Sequence, residues 1–163
     1  MAIDLDIYRE ILTGFPSGVA VVTASGEDDK PLGLTVSAFC AVSLQPPLVL
    51  VCIDKASNTL SAIQGSGGFT VNLLAAGREE IALAFAGKAD DKFAGVQWRR
   101  PSIPQSGPIL DRDSVGYAEC VTEKELEAGD HWIFVGRVEN GASDPEASPL
   151  VYGRRQFAAW SDL

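Results

Sequence analysis

Apolar residues at Ile3, Ile7, Ile11 and Phe15 recur every fourth position, with Leu12 beside them. That spacing predicts a helix with one apolar stripe, stopped by Gly14 and Pro16. The pattern then changes. Residues 19–24 form an apolar run, 26–30 a polar and acidic turn, and 31–39 a second run rich in β-branched residues, so a hairpin is the simplest reading. Residues 48–53 predict another strand, 58–64 a short helix, and 65–68 a Gly/Ser break before a strand over 69–74. Ile81, Leu83, Ala84 and Phe85 place a helix over 79–86. From 88 to 110 no period holds, and Gly and Pro recur, which predicts irregular chain. The segments 115–127 and 131–138 carry apolar or small residues in both alternating sets. Such strands are covered on both faces, and a second subunit is favoured over a helix as the second cover. Residues 141–149 read as a surface loop. Neither an internal repeat nor a low-complexity linker interrupts the 163 residues, which predicts one domain spanning 1–163 and burying roughly 70% of its unfolded surface.

The stretch 33–59 has the most distinctive chemistry. Thr35, Ser37 and Ser43 place hydroxyls among residues that favour a pleated, half-buried surface, as the wall of a ligand site would. Pro46 and Pro47 donate no backbone hydrogen bond and force a turn before the next strand. Ser57-Asn58-Thr59 ahead of Leu60 and Ile63 reads as a helix start whose free amides can hold a phosphate.

Charge narrows the partners. Thirteen basic against twenty-two acidic residues give a net charge of −9, which disfavours nucleic acid. An anionic nucleotide requires local donors against that field, and Lys55, Lys88, Lys92, Arg154 and Arg155 are the candidates. Cys40, Cys52 and Cys120 lie in apolar runs without paired spacing, and read as small buried hydrophobes in a reducing cytoplasm. The first residues lack a secretory signal pattern, and no apolar run reaches the ~20 residues of a membrane helix. A soluble, cytoplasmic protein is expected. The sequence contains no G-x-G-x-x-G, no P-loop, no Cys/His cluster and a single histidine, so metal catalysis and phosphoryl transfer have no support. His131 has serines and aspartates to meet in a triad, but no G-x-S-x-G elbow accompanies them.

The order T-V-S-A-F at 35–39, V-S-L-x-P-P-L-V-L-V-C-I at 42–53 and S-x-T at 57–59 resembles the flavin reductase-like family of FMN-binding split barrels. G-D-H at 129–131 and P-L-V-Y-G-R-R-Q-F at 149–157 continue the match, which spans roughly residues 10–158. The resemblance implies a mainly β fold with a few short helices, a split β-barrel forming a homodimer; the apolar stripe of the first helix is expected to pack on a barrel wall. It also implies an NAD(P)H:flavin oxidoreductase that reduces FMN or FAD with NADH or NADPH and supplies a separate monooxygenase. A site poor in titratable groups suits that chemistry, because the protein has mainly to bind, orient and shield the flavin.

Residue by residue, the resemblance implies that Thr35, Val36, Ser37, Ala38 and Phe39 follow the isoalloxazine and ribityl chain, with Cys52, Ile53, Asp54 and Lys55 as the neighbouring strand end. Ser57 and Thr59 would take the phosphate, while Phe85 and Lys88 belong to a stretch closing over the phosphate or adenine side. Tyr152, Arg154 and Phe157 match the last motif, where Arg154 would meet a pyrophosphate or carboxylate. His131 would be the catalytic residue, bonding the nicotinamide carboxamide or steadying reduced flavin, with Asp130 orienting its other nitrogen. Trp132 stands where the resemblance leads one to expect a smaller or aliphatic residue, and Gln45 where an acidic one is common. The alternatives are a flavin or haem carrier of the same fold and a relative of pyridoxamine phosphate oxidase.

Overall fold

A computed structural model describes residues 2–162. The first helix, α1 (Leu5–Thr13), is capped by the Asp4 carboxylate, which accepts from the amides of Asp6 and Ile7. Next come β1 (Ser17–Gly18), β2 (Ala20–Ser25), β3 (Pro31–Val36), β4 (Phe39–Leu44) and β5 (Pro47–Asp54). α2 (Asn58–Ser66), β6 (Gly68–Leu74) and α3 (Glu79–Ala86) follow. The chain closes with β7 (Ser114–Ala128), β8 (His131–Ser143), β9 (Leu150–Gly153) and β10 (Gln156–Ala159).

Seven strands form one antiparallel sheet in the order β3-β2-β6-β7-β8-β5-β4, and β1, β9 and β10 form a small second sheet. β3 and β4 lie at opposite edges of the large sheet, yet only Ser37 and Ala38 separate them. Each residue spans at most about 3.6 Å, so the two edges must lie side by side. The sheet therefore curls into a barrel with a seam at this crossing. The sequence pattern reads 31–39 as one strand; the structure ends it at Val36 because the chain changes edges there.

β2 is buried on both faces, as its unbroken apolar run requires. Ala20, Val22 and Ala24 point into the barrel core with Leu34, Val36, Val51, Ile53, Phe69, Val71 and Phe134, and α2 plugs that core with Ala62 and Ile63. Val19 and Val21 face the other way, into a second cluster with Ala82, Phe85, Phe93, Leu110 and Leu150. Gly67, at φ +78, ends α2 in the left-handed conformation that glycine adopts without strain.

The irregular segment 99–110 is fixed by buried side chains reaching out of the sheet. Glu119 accepts from the amides of Ser102 and Ile103, Asn72 accepts from Leu110, and Thr23 and Thr70 donate to the carbonyls of Pro108 and Gly107. These bonds satisfy backbone groups that no ladder reaches.

Two expectations are corrected. α1 buries none of its residues: its apolar stripe stays exposed, Phe15 to 79%, so the chain offers it no barrel wall. β8 also continues through Ser143 where a loop was expected: a register shift between Glu119 and Cys120 precedes the pairs of Gly141 and Ala142 with Ala118 and Tyr117. The outer half of β7, from Glu123 to Ala128, is exposed, as its run of Glu and Lys side chains allows, while the apolar residues of the pattern lie in the more buried inner half. No helix among the described residues is long and apolar enough to cross a membrane.

Candidate active site at the barrel seam

A cavity of about 550 Å³ opens at the seam. Its floor is β3 with the Ser37-Ala38 crossing, one side is the end of β5, and the far end is the start of α2. The 85–93 segment forms the opposite wall, and His131 reaches in from the turn between β7 and β8.

Strand alternation decides which residues face it. Asp54 pairs with His131 in the β5–β8 ladder, so Cys52, Asp54 and His131 share the cavity face. Ile53 pairs with Trp132 and faces the core with Val51 and Phe134. Trp132 thus adds its bulk to the core side and leaves the cavity wall unchanged. Thr35, Val36, Ser37, Ala38, Ser57, Thr59, Phe85 and Lys88 also line the cavity, which gathers most of the expected site from separate parts of the chain.

The other expected residues sit elsewhere. Phe39 and Ile53 pack on or in the barrel core. Lys55 pairs with Glu127 across the β7–β8 hairpin, and its amide donates to the Asp130 carbonyl, so it braces the turn carrying His131. Tyr152 stacks against Phe157 with ring centroids 5.0 Å apart, in the second core cluster. Arg154 and Arg155, at φ 49° and 61°, form the β9–β10 turn; the Arg154 amide donates to the Thr13 carbonyl and its guanidinium lies over the end of α1 beside Gly14. Of the candidate cations only Lys88 and Lys92 reach the cavity. The motif-based site set omits Lys92, although it lies in the same Phe85-to-Phe93 stretch as Lys88.

The start of α2 is built for an anion. The Asp54 carboxylate accepts from the Ala56 amide at 2.8 Å and turns the chain, and Ser57 Oγ accepts from the Thr59 amide at 3.2 Å as the helix cap. The Ser57 hydroxyl proton is free to donate to a ligand, and the first-turn Asn58 amide has no acceptor within the helix.

The Gly129-Asp130 turn, with Gly129 at φ +62, projects His131. His131 Nδ1 lies 2.7 Å from the Asp130 carboxylate, leaving Nε2 for a ligand. The hydrogen bond to His131 holds the Asp130 carboxyl below its ordinary range. This contact is present at neutral pH and is lost as pH falls through that lowered value.

The cysteines differ in a testable way. Cys40, on the edge strand β4, is exposed, against the expectation that all three are buried; burial raises the Cys52 thiol, and burial with the nearby Glu119 carboxylate pushes Cys120 up to about 12. Iodoacetamide at pH 8 is expected to modify Cys40 first, Cys52 slowly, and Cys120 only after unfolding, read by peptide mass spectrometry. Early labelling of Cys120 would contradict this burial.

A family model described as flavin reductase like domain matches residues 12–161. An NADH flavin reductase from Kitasatospora aureofaciens is 44% identical over 159 residues, covering 97% of this chain and 83% of the relative. The reductase subunit HsaB of a flavin-dependent monooxygenase from Rhodococcus jostii is 38% identical, covering 96% of this chain and 78% of that protein. Among solved structures, the NADH:FAD oxidoreductase SgcE6 from Streptomyces globisporus, in complex with NAD and FAD fragments, superposes with a TM-score of 0.88 at 33% identity, covering 95% of this chain and 92% of that one. With a curled antiparallel sheet, a cavity at its seam and relatives alike along most of their length, this chain belongs to the flavin reductase-like family.

Proposed function

We propose that this chain is an NAD(P)H:flavin oxidoreductase that reduces FMN or FAD and supplies the reduced flavin to a separate monooxygenase. The observation that carries the reading is the seam cavity, whose strand-edge wall of Thr35 to Ala38 faces the amide-rich start of α2. Its residues fit a flavin nucleotide. Ala38 and Cys52 offer apolar surface for a ring, Ser37 and strand-edge backbone groups offer hydrogen bonds for its polar rim, and Ser57 with the Asn58 amide offers donors for a phosphate. When bound, the flavin ring is the hydride acceptor and the nicotinamide is the donor. The chain holds the two in register and excludes water, and His131, fixed through Nδ1 by Asp130, presents Nε2 at the cavity.

Purified protein mixed with NADH and free FMN or FAD should consume NADH at a rate that rises and saturates with flavin. Tight flavin binding at background rates of NADH loss would favour a carrier. Repeating the assay with NADPH and with each flavin assigns the preferences.

The working form is a cytoplasmic homodimer in this reading. Two exposed features call for a second copy: the α1 stripe and the edge strand β4, where Leu44 is 90% exposed. Light scattering after size exclusion is expected to give twice the 17.3 kDa chain mass, and Ile7→Glu with Ile11→Glu is expected to shift the protein to monomer. A monomeric wild type would leave these surfaces to another partner.

A further inference from the structure

Lys92 lies in the cavity wall opposite α2, and its surroundings differ from those of an ordinary surface lysine. Its Nζ donates to the Phe85 carbonyl at 2.8 Å and to the Gly33 carbonyl at 3.2 Å. The first is a last-turn carbonyl of α3, which lacks a donor within the helix. The second belongs to β3, a sheet-edge strand that pairs only with β2. No carboxylate lies within 4 Å of this ammonium among the described residues, and partial burial pushes its amine below the usual lysine range.

Two further features tie the same helix to the same strand. Thr35 Oγ1 donates to the Ala82 carbonyl at 2.6 Å, and a Cβ on Gly33 would come within 3.0 Å of the Phe85 ring. Phe93 packs edge-on against Phe85, with centroids 4.9 Å apart, which pins the far end of the 85–93 wall. Between these rings, residues 86–91 are exposed, and Lys92 is the one side chain of that stretch seen to bond both α3 and β3.

We propose that Lys92 is a positioning residue: its ammonium clamps the 85–93 wall and the end of α3 onto β3 and so sets the width of the flavin berth. This rests on the reductase reading above. The Lys92 ammonium is bonded to two backbone carbonyls and acts through the wall, so removing it weakens riboflavin and FMN alike, whereas a phosphate ligand would discriminate between them. Charge matters because an ammonium bonds two carbonyls more strongly than a neutral donor.

The test uses full-length wild type, K92M and K92R, with flavin fluorescence quenching for riboflavin and FMN alongside steady-state kinetics. K92M is expected to raise both dissociation constants by about tenfold in parallel, and the KM for flavin with them, while kcat at saturating flavin changes far less. K92R, which retains the charge and donors, is expected to recover most of the loss. Wild-type-like flavin binding by K92M overturns the clamp, as does loss of FMN with riboflavin retained, or a K92R as weak as K92M. If circular dichroism shows K92M unfolded, K92Q is read in its place against the same outcomes. A wild type that binds neither flavin sinks the reductase reading and the clamp together, whereas a binding wild type with unaffected variants sinks the clamp alone.

Discussion

Replacing Ser57 and Thr59 together by alanine is expected to weaken FMN on the order of 100-fold while riboflavin loses far less, because hydrogen bonds to a charged group contribute about 1.5–3 kcal/mol each. Ser57 Oγ already accepts from the Thr59 amide, so its proton is the one left for a phosphate oxygen. Thr59 is almost fully buried at the cavity end, where α2 meets β3 and β5. Losing the Ser57 cap also costs the helix about 1 kcal/mol, and that cost falls on both ligands equally. The ratio of the FMN loss to the riboflavin loss therefore isolates the phosphate contribution. Fluorescence titration of both flavins measures it, and equal losses would mean that the phosphate lies elsewhere.

His131→Ala is expected to lower kcat/KM for NADH by about 100-fold with flavin affinity retained, the scale on which a single preorganised donor contributes. The geometry behind this is the turn at Gly129-Asp130, the brace from Lys55 and the Asp130 contact, which together hold one ring nitrogen and leave the other on the cavity face. Stopped-flow measurement of the hydride step separates it from flavin release. Unchanged kinetics would remove His131 from the site. Asp130→Asn, which keeps the shape and removes the charge, is expected to fall between wild type and His131→Ala.

Much of this was legible in the chain. The β2–β3 hairpin, α2 and α3 follow from local period, caps and turn residues, all of which act within a few positions. The hydroxyls at 35–37 and the S-x-T at 57–59 already suggested a ligand wall and an anion site, since small polar groups among strand residues require a partner. The 88–110 stretch was readable only as irregular. Its order comes from Glu119, Asn72, Thr23 and Thr70, which lie in strands remote in sequence, so no local window contains the signal.

The sequence by itself determined the succession of elements, the family motifs and the residue types available for a nucleotide, because these depend on neighbours along the chain. Tertiary structure decided which of them meet. The two-residue crossing at Ser37-Ala38 brings opposite sheet edges together and makes the cavity, and strand alternation sends Cys52 and Asp54 into it and Ile53 and Trp132 away. It also turned Lys55 toward Glu127 and Arg154 toward α1, and brought Lys92 to two backbone carbonyls. A long cationic side chain reaches several ångströms from its Cα, so its partner is fixed by what folds beside it and not by its place in a motif.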